Sequence, residues 1–294
     1  MTEARDRARG RSRSMENDLV ARQSEQLVER GFVVLEGLAP AQVQFARDTV
    51  LANAGLLKNT RPNPSSGHLA GFHRYPELEH LHALVSCNPH VLDILRAASG
   101  CSQLRSIGLS DITVNRSQEW HVDLLRGKYQ PYLDPEICWG RDGGGVYKVL
   151  LYLQPGLSLR VMPGAHRKPI ALDDDRKSQP RNPADTAAVQ IAAGGIILMD
   201  IRLPHRGSSE AELSNEEYDR NPKILVSTVL GGDGKPLTQG MKCVHHLFRE
   251  TGSHDLEGGF TPEQPVLETR MIALQRIDVL ADDRRQIRTR VIVR

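Results

Sequence analysis

The chain has 294 residues, 39% of them hydrophobic and 25% charged, a composition that buries a sizeable core and excludes a wholly unfolded chain. With 38 basic against 36 acidic residues the formal charge is only +2, too little for a field that recruits a polyanion, so nucleic acid is not expected as a partner. No apolar run reaches membrane-spanning length and MTEARDRARGRSRSMEND holds no apolar signal core, so a cytoplasmic protein without a membrane partner is expected.

Residues 1–15 carry arginine at positions 5, 7, 9, 11 and 13 and read as a disordered basic arm. From Glu16 to Arg30 the apolar residues Leu19, Val20, Leu27 and Val28 recur at helical spacing, and Gly31 ends the pattern. Phe32 to Leu35 is a short β-branched and apolar run, followed after Pro40 by a second helical pattern through Val43, Ala46 and Val50. Segment 58–78, interrupted by Pro62, Pro64, Gly67 and Gly71, reads as a surface loop, with His68 and His73 as residues of a possible substrate lid. Residues 79–98 read as helical, completing a helical layer over 16–103.

Beyond Leu104 the texture changes to short apolar runs bounded by Gly, Pro, Asn and Asp: Ile112–Val114, Tyr147–Leu153, Leu159–Met162, Val189–Ile191, Ile196–Met199 and Ile224–Val229. This predicts a β core over 104–231, of the kind found in sandwiches, jelly rolls and barrels. A final helical pattern through Val266, Met271, Leu274 and Ile277 marks a helical segment over 260–294. The class is therefore mainly β with flanking helices, in a single domain over 16–294. Cys87, Cys101, Cys138 and Cys243 lie scattered, without zinc or redox spacing, and read as buried small hydrophobes.

The chemistry concentrates in Trp120-His121-Val122-Asp123, where an imidazole and a carboxylate two residues apart on a strand project from one face. His205, shortly after the apolar run Ile196–Met199, is the candidate third ligand. Two histidines and one carboxylate on one side of a metal leave positions open for oxygen and substrate, the arrangement of a non-haem Fe(II) oxygenase.

Four segments in order resemble one family, the phytanoyl-CoA dioxygenase-like Fe(II)/2-oxoglutarate-dependent oxygenases: Arg30-Gly31-Phe32-Val33-Val34-Leu35, Trp120 to Asp123, Leu159 to Arg167, and Gly195 to Gly207. The third matches the family's GxLxxxPGSH run, except that Leu157 stands in place of its glycine and Ala165 in place of its serine. The resemblance covers roughly residues 16–231.

It implies a double-stranded β-helix (jelly roll, cupin-like) with His121, Asp123 and His205 as both metal ligands and catalytic centre. It also implies Fe(II) as metal, with 2-oxoglutarate and O2 as cosubstrates. The family usually pairs the far carboxylate of 2-oxoglutarate with an arginine on a later strand. Here the matching strand is Pro222-Lys223-Ile224-Leu225-Val226-Ser227, and Lys223 stands where the arginine is expected, with Arg220, Arg160 or Arg202 as alternatives. The implied reaction oxidises a small-molecule substrate, such as a secondary-metabolite intermediate, by hydroxylation, releasing succinate and CO2. The presence of Asp123 argues against halogenation, since related halogenases leave that ligand position to chloride. Two other readings remain open: a cupin-like Fe(II) dioxygenase that does not use 2-oxoglutarate, and a non-catalytic jelly-roll binding protein.

Overall fold

The computed structural model describes residues 2–59, 61–123, 133, 135–156, 159–169, 185–213 and 216–241. The helical segment expected over 260–294, Cys243 and most of the stretch between Asp123 and Pro135 lie outside the described residues.

Helix α1 (Thr2–Arg30) ends where expected, at Gly31, but begins at Thr2, so the stretch read as a disordered arm continues the helix. Strand β1 (Phe32–Leu35) and α2 (Pro40–Ala52) follow, α2 burying Val43, Ala46 and Val50 as their spacing predicts. The segment read as a loop contains β2 (Gly67–Ala70), and the helix expected over 79–98 is divided into a 3-10 helix (Pro76–Ala83) and α3 (Pro89–Ser99). The division is local chemistry: the Asn88 side chain accepts from Val91 N, Pro89 opens the helix, and Gly100 closes it at φ +66°.

The remaining strands are β3 (Leu104–Val114), β4 (Val146–Tyr152), β5 (Arg160–Val161), β6 (Ala187–Ala188), β7 (Ile196–Asp200), β8 (His205–Arg206) and β9 (Ile224–Gly232). Short helices α4 (Pro135–Trp139), α5 (Glu210–Leu213) and α6 (Glu216–Arg220) lie between them. The strands form two antiparallel sheets, one ordered β1-β7-β4-β9-β3-β2 and one ordered β6-β5-β8. Thus β1 and β2, from the stretch assigned to the helical layer, form the two edges of the large sheet.

Side-chain alternation gives the large sheet two different buried faces. Val149 and Leu151 of β4, Ile196 and Leu198 of β7, and Ile224 and Val226 of β9 join the helices in one apolar cluster. Their neighbours Leu150, Tyr152, Ile197 and Met199 point the other way, to Val161 of the small sheet and to Leu159 and Leu203 beside its strands. A third cluster, with Ile107, Val122, Val146, Ile201 and Val229, closes one end. Among the described residues no helix is long and apolar enough to cross a membrane.

Candidate metal centre

His205 opens β8 and lies directly opposite His121 in an antiparallel bridge, with His121 N donating to His205 O (2.8 Å) and His205 N donating to His121 O (2.9 Å). Directly opposed residues project from the same face, and the two rings sit 4.1 Å apart at 50°. Asp123 N donates to Ile201 O (3.0 Å), two residues out of the register set by the bridge, and the Val122 side chain turns away to join Ile201 in the third cluster. His121 and Asp123 do turn toward one another as expected, but not on a regular strand: the pairing amounts to a single bridge and Asp123 lies in a bend.

Asp123 sits between the imidazoles, its Oδ1 3.6 Å from His121 Nε2 and its Oδ2 3.6 Å from His205 Nε2. Ligand atoms of the three side chains lie within 4.8 Å of one another. Each far ring nitrogen is already used: His121 Nδ1 donates to Glu119 O (2.6 Å) and His205 Nδ1 to Leu203 O (2.9 Å). A carbonyl only accepts, so both rings carry hydrogen on Nδ1 and turn Nε2 toward Asp123. Buried His121 Nε2 has no hydrogen-bond partner. Burial, and then neighbouring His121, press the His205 imidazole down to about 3. Burial alone would raise the Asp123 carboxyl, but Lys148, His205 and His121 hold it well below the usual carboxylate range. Two imidazoles and an ionised carboxylate, converging with one nitrogen unpartnered, are a donor set that fits a divalent transition metal.

A pocket leads from His205 toward Lys223, lined between them by Thr113, Gln118, Lys148 and Leu225. Lys223 Nζ donates to Ser208 Oγ (2.9 Å), and burial presses its ammonium from an ordinary 10.5 to about 8. Asn115, buried at φ +44°, fixes its backbone: Lys223 N donates to Asn115 Oδ1 (2.8 Å) and Asn115 N to Lys223 O (2.9 Å). The alternatives to Lys223 lie elsewhere. Arg220 is exposed at the end of α6, Arg160 is exposed on β5, and Arg202 is held by the Asp200 carboxylate (2.7 Å) and Cys138 O (3.0 Å). His166 is buried away from the triad, with Nε2 donating to Val28 O (3.1 Å). His68 of β2 stands 3.9 Å from Asp111 of β3.

Two pocket cations escaped the sequence reading. Arg116 lines the pocket, and Lys148 lines it while pairing with Asp123. The signal for Lys148 was present, since a lysine inside Val-Tyr-Lys-Val-Leu-Leu-Tyr interrupts a strand buried on both faces and therefore needs a partner.

No family model matches the chain, and neither does any curated protein. Solved structures do. EvdO2 from Micromonospora carbonacea var. aurantiaca, complexed with 2-oxoglutarate, is 17% identical at a TM-score of 0.50, over 72% of this chain and 90% of that one. The non-haem α-ketoglutarate-dependent epimerase SnoN from nogalamycin biosynthesis is 13% identical at 0.53, over 74% and 84%. EctD from S. alaskensis, in its apo form, is 18% identical at 0.52, over 74% and 80%. At these identities the likeness establishes a shared fold.

Proposed function

We propose that this chain is a mononuclear non-haem Fe(II)- and 2-oxoglutarate-dependent oxygenase of the phytanoyl-CoA dioxygenase-like type, on a double-stranded β-helix. The reading rests on one observation above all: His121, Asp123 and His205 converge with both Nδ1 atoms already committed to backbone carbonyls. The shared fold adds weight, since SnoN is also known in complex with Fe3+ and α-ketoglutarate, and EctD with Fe and with 2-oxoglutarate.

In this reading His121 and His205 bind iron through Nε2 and Asp123 through a carboxylate oxygen. Bound iron, with 2-oxoglutarate and O2, supplies an oxidising centre that couples decarboxylation to succinate and CO2 with hydroxylation of a small-molecule C–H bond. The protein's own groups do the positioning. The carbonyls of Glu119 and Leu203 keep both rings in the ligating tautomer. Lys223, steadied by Ser208 and Asn115, meets the far carboxylate as a point charge where an arginine would bind in a two-pronged fashion. Leu150, Leu159 and Leu225 line the pocket between and keep water from the reacting end.

The test is anaerobic titration of Fe(II) into the apoprotein, with and without 2-oxoglutarate, watching for the visible charge-transfer band of the chelate. The band is expected only when both are present, and it is expected to vanish in His121→Ala and Asp123→Ala. Iron binding without a band would move the assignment to a cupin-like dioxygenase that does not use 2-oxoglutarate. No iron binding at all would leave a non-catalytic binding protein.

A further inference from the structure

Lys148 is the one charged residue of β4, and its side chain is only 13% exposed. Its ammonium lies 3.1 Å from each oxygen of Asp123 and donates to Oδ1. A fixed cation is thus set against the carboxylate that a metal would use. Among the described residues around the pocket, Arg116 and Lys223 add positive charge. Asp111, which feels Lys148 and Arg116 and stands beside His68, adds negative charge. A divalent cation bound at Asp123 would therefore enter beside an ammonium that already stands 3.1 Å from both oxygens of its carboxylate ligand. Between buried groups that closeness of like charges is costly, because little water screens it.

We propose that Lys148 makes cation and anion binding interdependent: it weakens a divalent metal bound alone and strengthens the metal once a dicarboxylate occupies the pocket. The inference rests on the triad being a metal site. Lys148 acts through Asp123 as a positioning residue, holding Oδ1 while Oδ2, which makes no hydrogen bond, faces His205. Thermodynamic linkage makes the effect reciprocal, so the metal must raise dicarboxylate affinity by the factor with which the dicarboxylate raises metal affinity.

Mn(II), which binds such sites without oxidising, is the probe. Free Mn(II) is measured by its electron paramagnetic resonance signal during titration of the full chain, with and without 2-oxoglutarate. Wild type, Lys148→Met, Lys148→Gln and Lys148→Arg are compared, and thermal unfolding identifies the variants that fold. The neutral variants are expected to bind Mn(II) alone at least tenfold more tightly than wild type and to show at least a tenfold smaller gain from 2-oxoglutarate. Lys148→Arg is expected to restore the wild-type pattern. A folded neutral variant that binds Mn(II) alone as wild type does, with the same gain, overturns the role of Lys148 and leaves the metal site standing. Mn(II) binding that survives in His121→Ala, or is absent from every protein, overturns the metal site itself and this inference with it.

Discussion

Lys223 shows how the choice between lysine and arginine at a buried position decides behaviour in solution. An arginine in its place would stay charged at every accessible pH, whereas the Lys223 ammonium, pressed down chiefly by burial, titrates near 8. Only the charged form attracts a carboxylate. Affinity for 2-oxoglutarate should therefore be greatest below pH 8 and fall as pH rises above it, by up to roughly tenfold per unit. Bound carboxylate raises the Lys223 value in the complex, and the decline ends there. Isothermal titration of the metal-loaded protein between about pH 6.5 and 9.5, a range that brackets the shifted value, measures it. Lys223→Arg should flatten the profile, and Lys223→Met should weaken binding roughly 30-fold or more near neutrality. Stability moves in the opposite sense. Between about 8 and 10.5 the unfolded chain holds more protons than the folded one at this position, so the Lys223 contribution to stability rises with pH through that window.

At the scale of elements, the triad depends on a glycine outside it. Gly31 joins α1 to β1 at φ +80°, a conformation L side chains rarely adopt, and a Cβ there would lie 2.5 Å from His166 Nδ1 and 2.9 Å from Leu203 Cδ1. The Leu203 carbonyl is the acceptor that orients His205. Gly31→Ala combines left-handed strain with overpacking and should cost about 3 kcal/mol. Urea unfolding reads that loss, and weaker metal binding by the folded fraction reads the displaced Leu203. Gly31 was legible in the sequence as a helix terminator, but its role as a close-packing point was not, because His166 reaches it from more than a hundred residues away.

The same division runs through the other elements. The β-branched and apolar runs announced β4, β7 and β9, since strands buried on both faces carry few interruptions. β2 stayed hidden because Gly-His-Leu-Ala has no such run and owes its extended form to pairing with β3. His121, Asp123 and His205 were legible through residue type and order, whereas Arg116 became visible as a pocket residue only once β3 and the small sheet faced each other.

The architecture of the whole molecule separates stability from chemistry across the thickness of one sheet, and two adjacent leucines of β4 test that separation. Leu151 is 0% exposed and packs among the helices, while Leu150 is 3% exposed and lines the pocket beside Lys148 and Tyr152. Both truncations remove the same atoms from a buried site, so Leu151→Ala and Leu150→Ala should each cost on the order of 2–5 kcal/mol in denaturant unfolding. Their effects on the site should part. A cavity on the helical face leaves the opposite face in register, because β4 is hydrogen-bonded on both sides, to β7 and β9. Leu151→Ala should therefore retain wild-type 2-oxoglutarate affinity and the same charge-transfer band wherever it is folded. Leu150→Ala opens the pocket to water between the metal end and Lys223, which strengthens competition from solvent for both carboxylates. It should weaken 2-oxoglutarate binding about tenfold, roughly the 1–3 kcal/mol that one lost apolar contact is worth in a ligand pocket. Equal effects of the two variants on affinity would mean that the faces are not independent, and that packing beneath the helices reaches the site through the sheet.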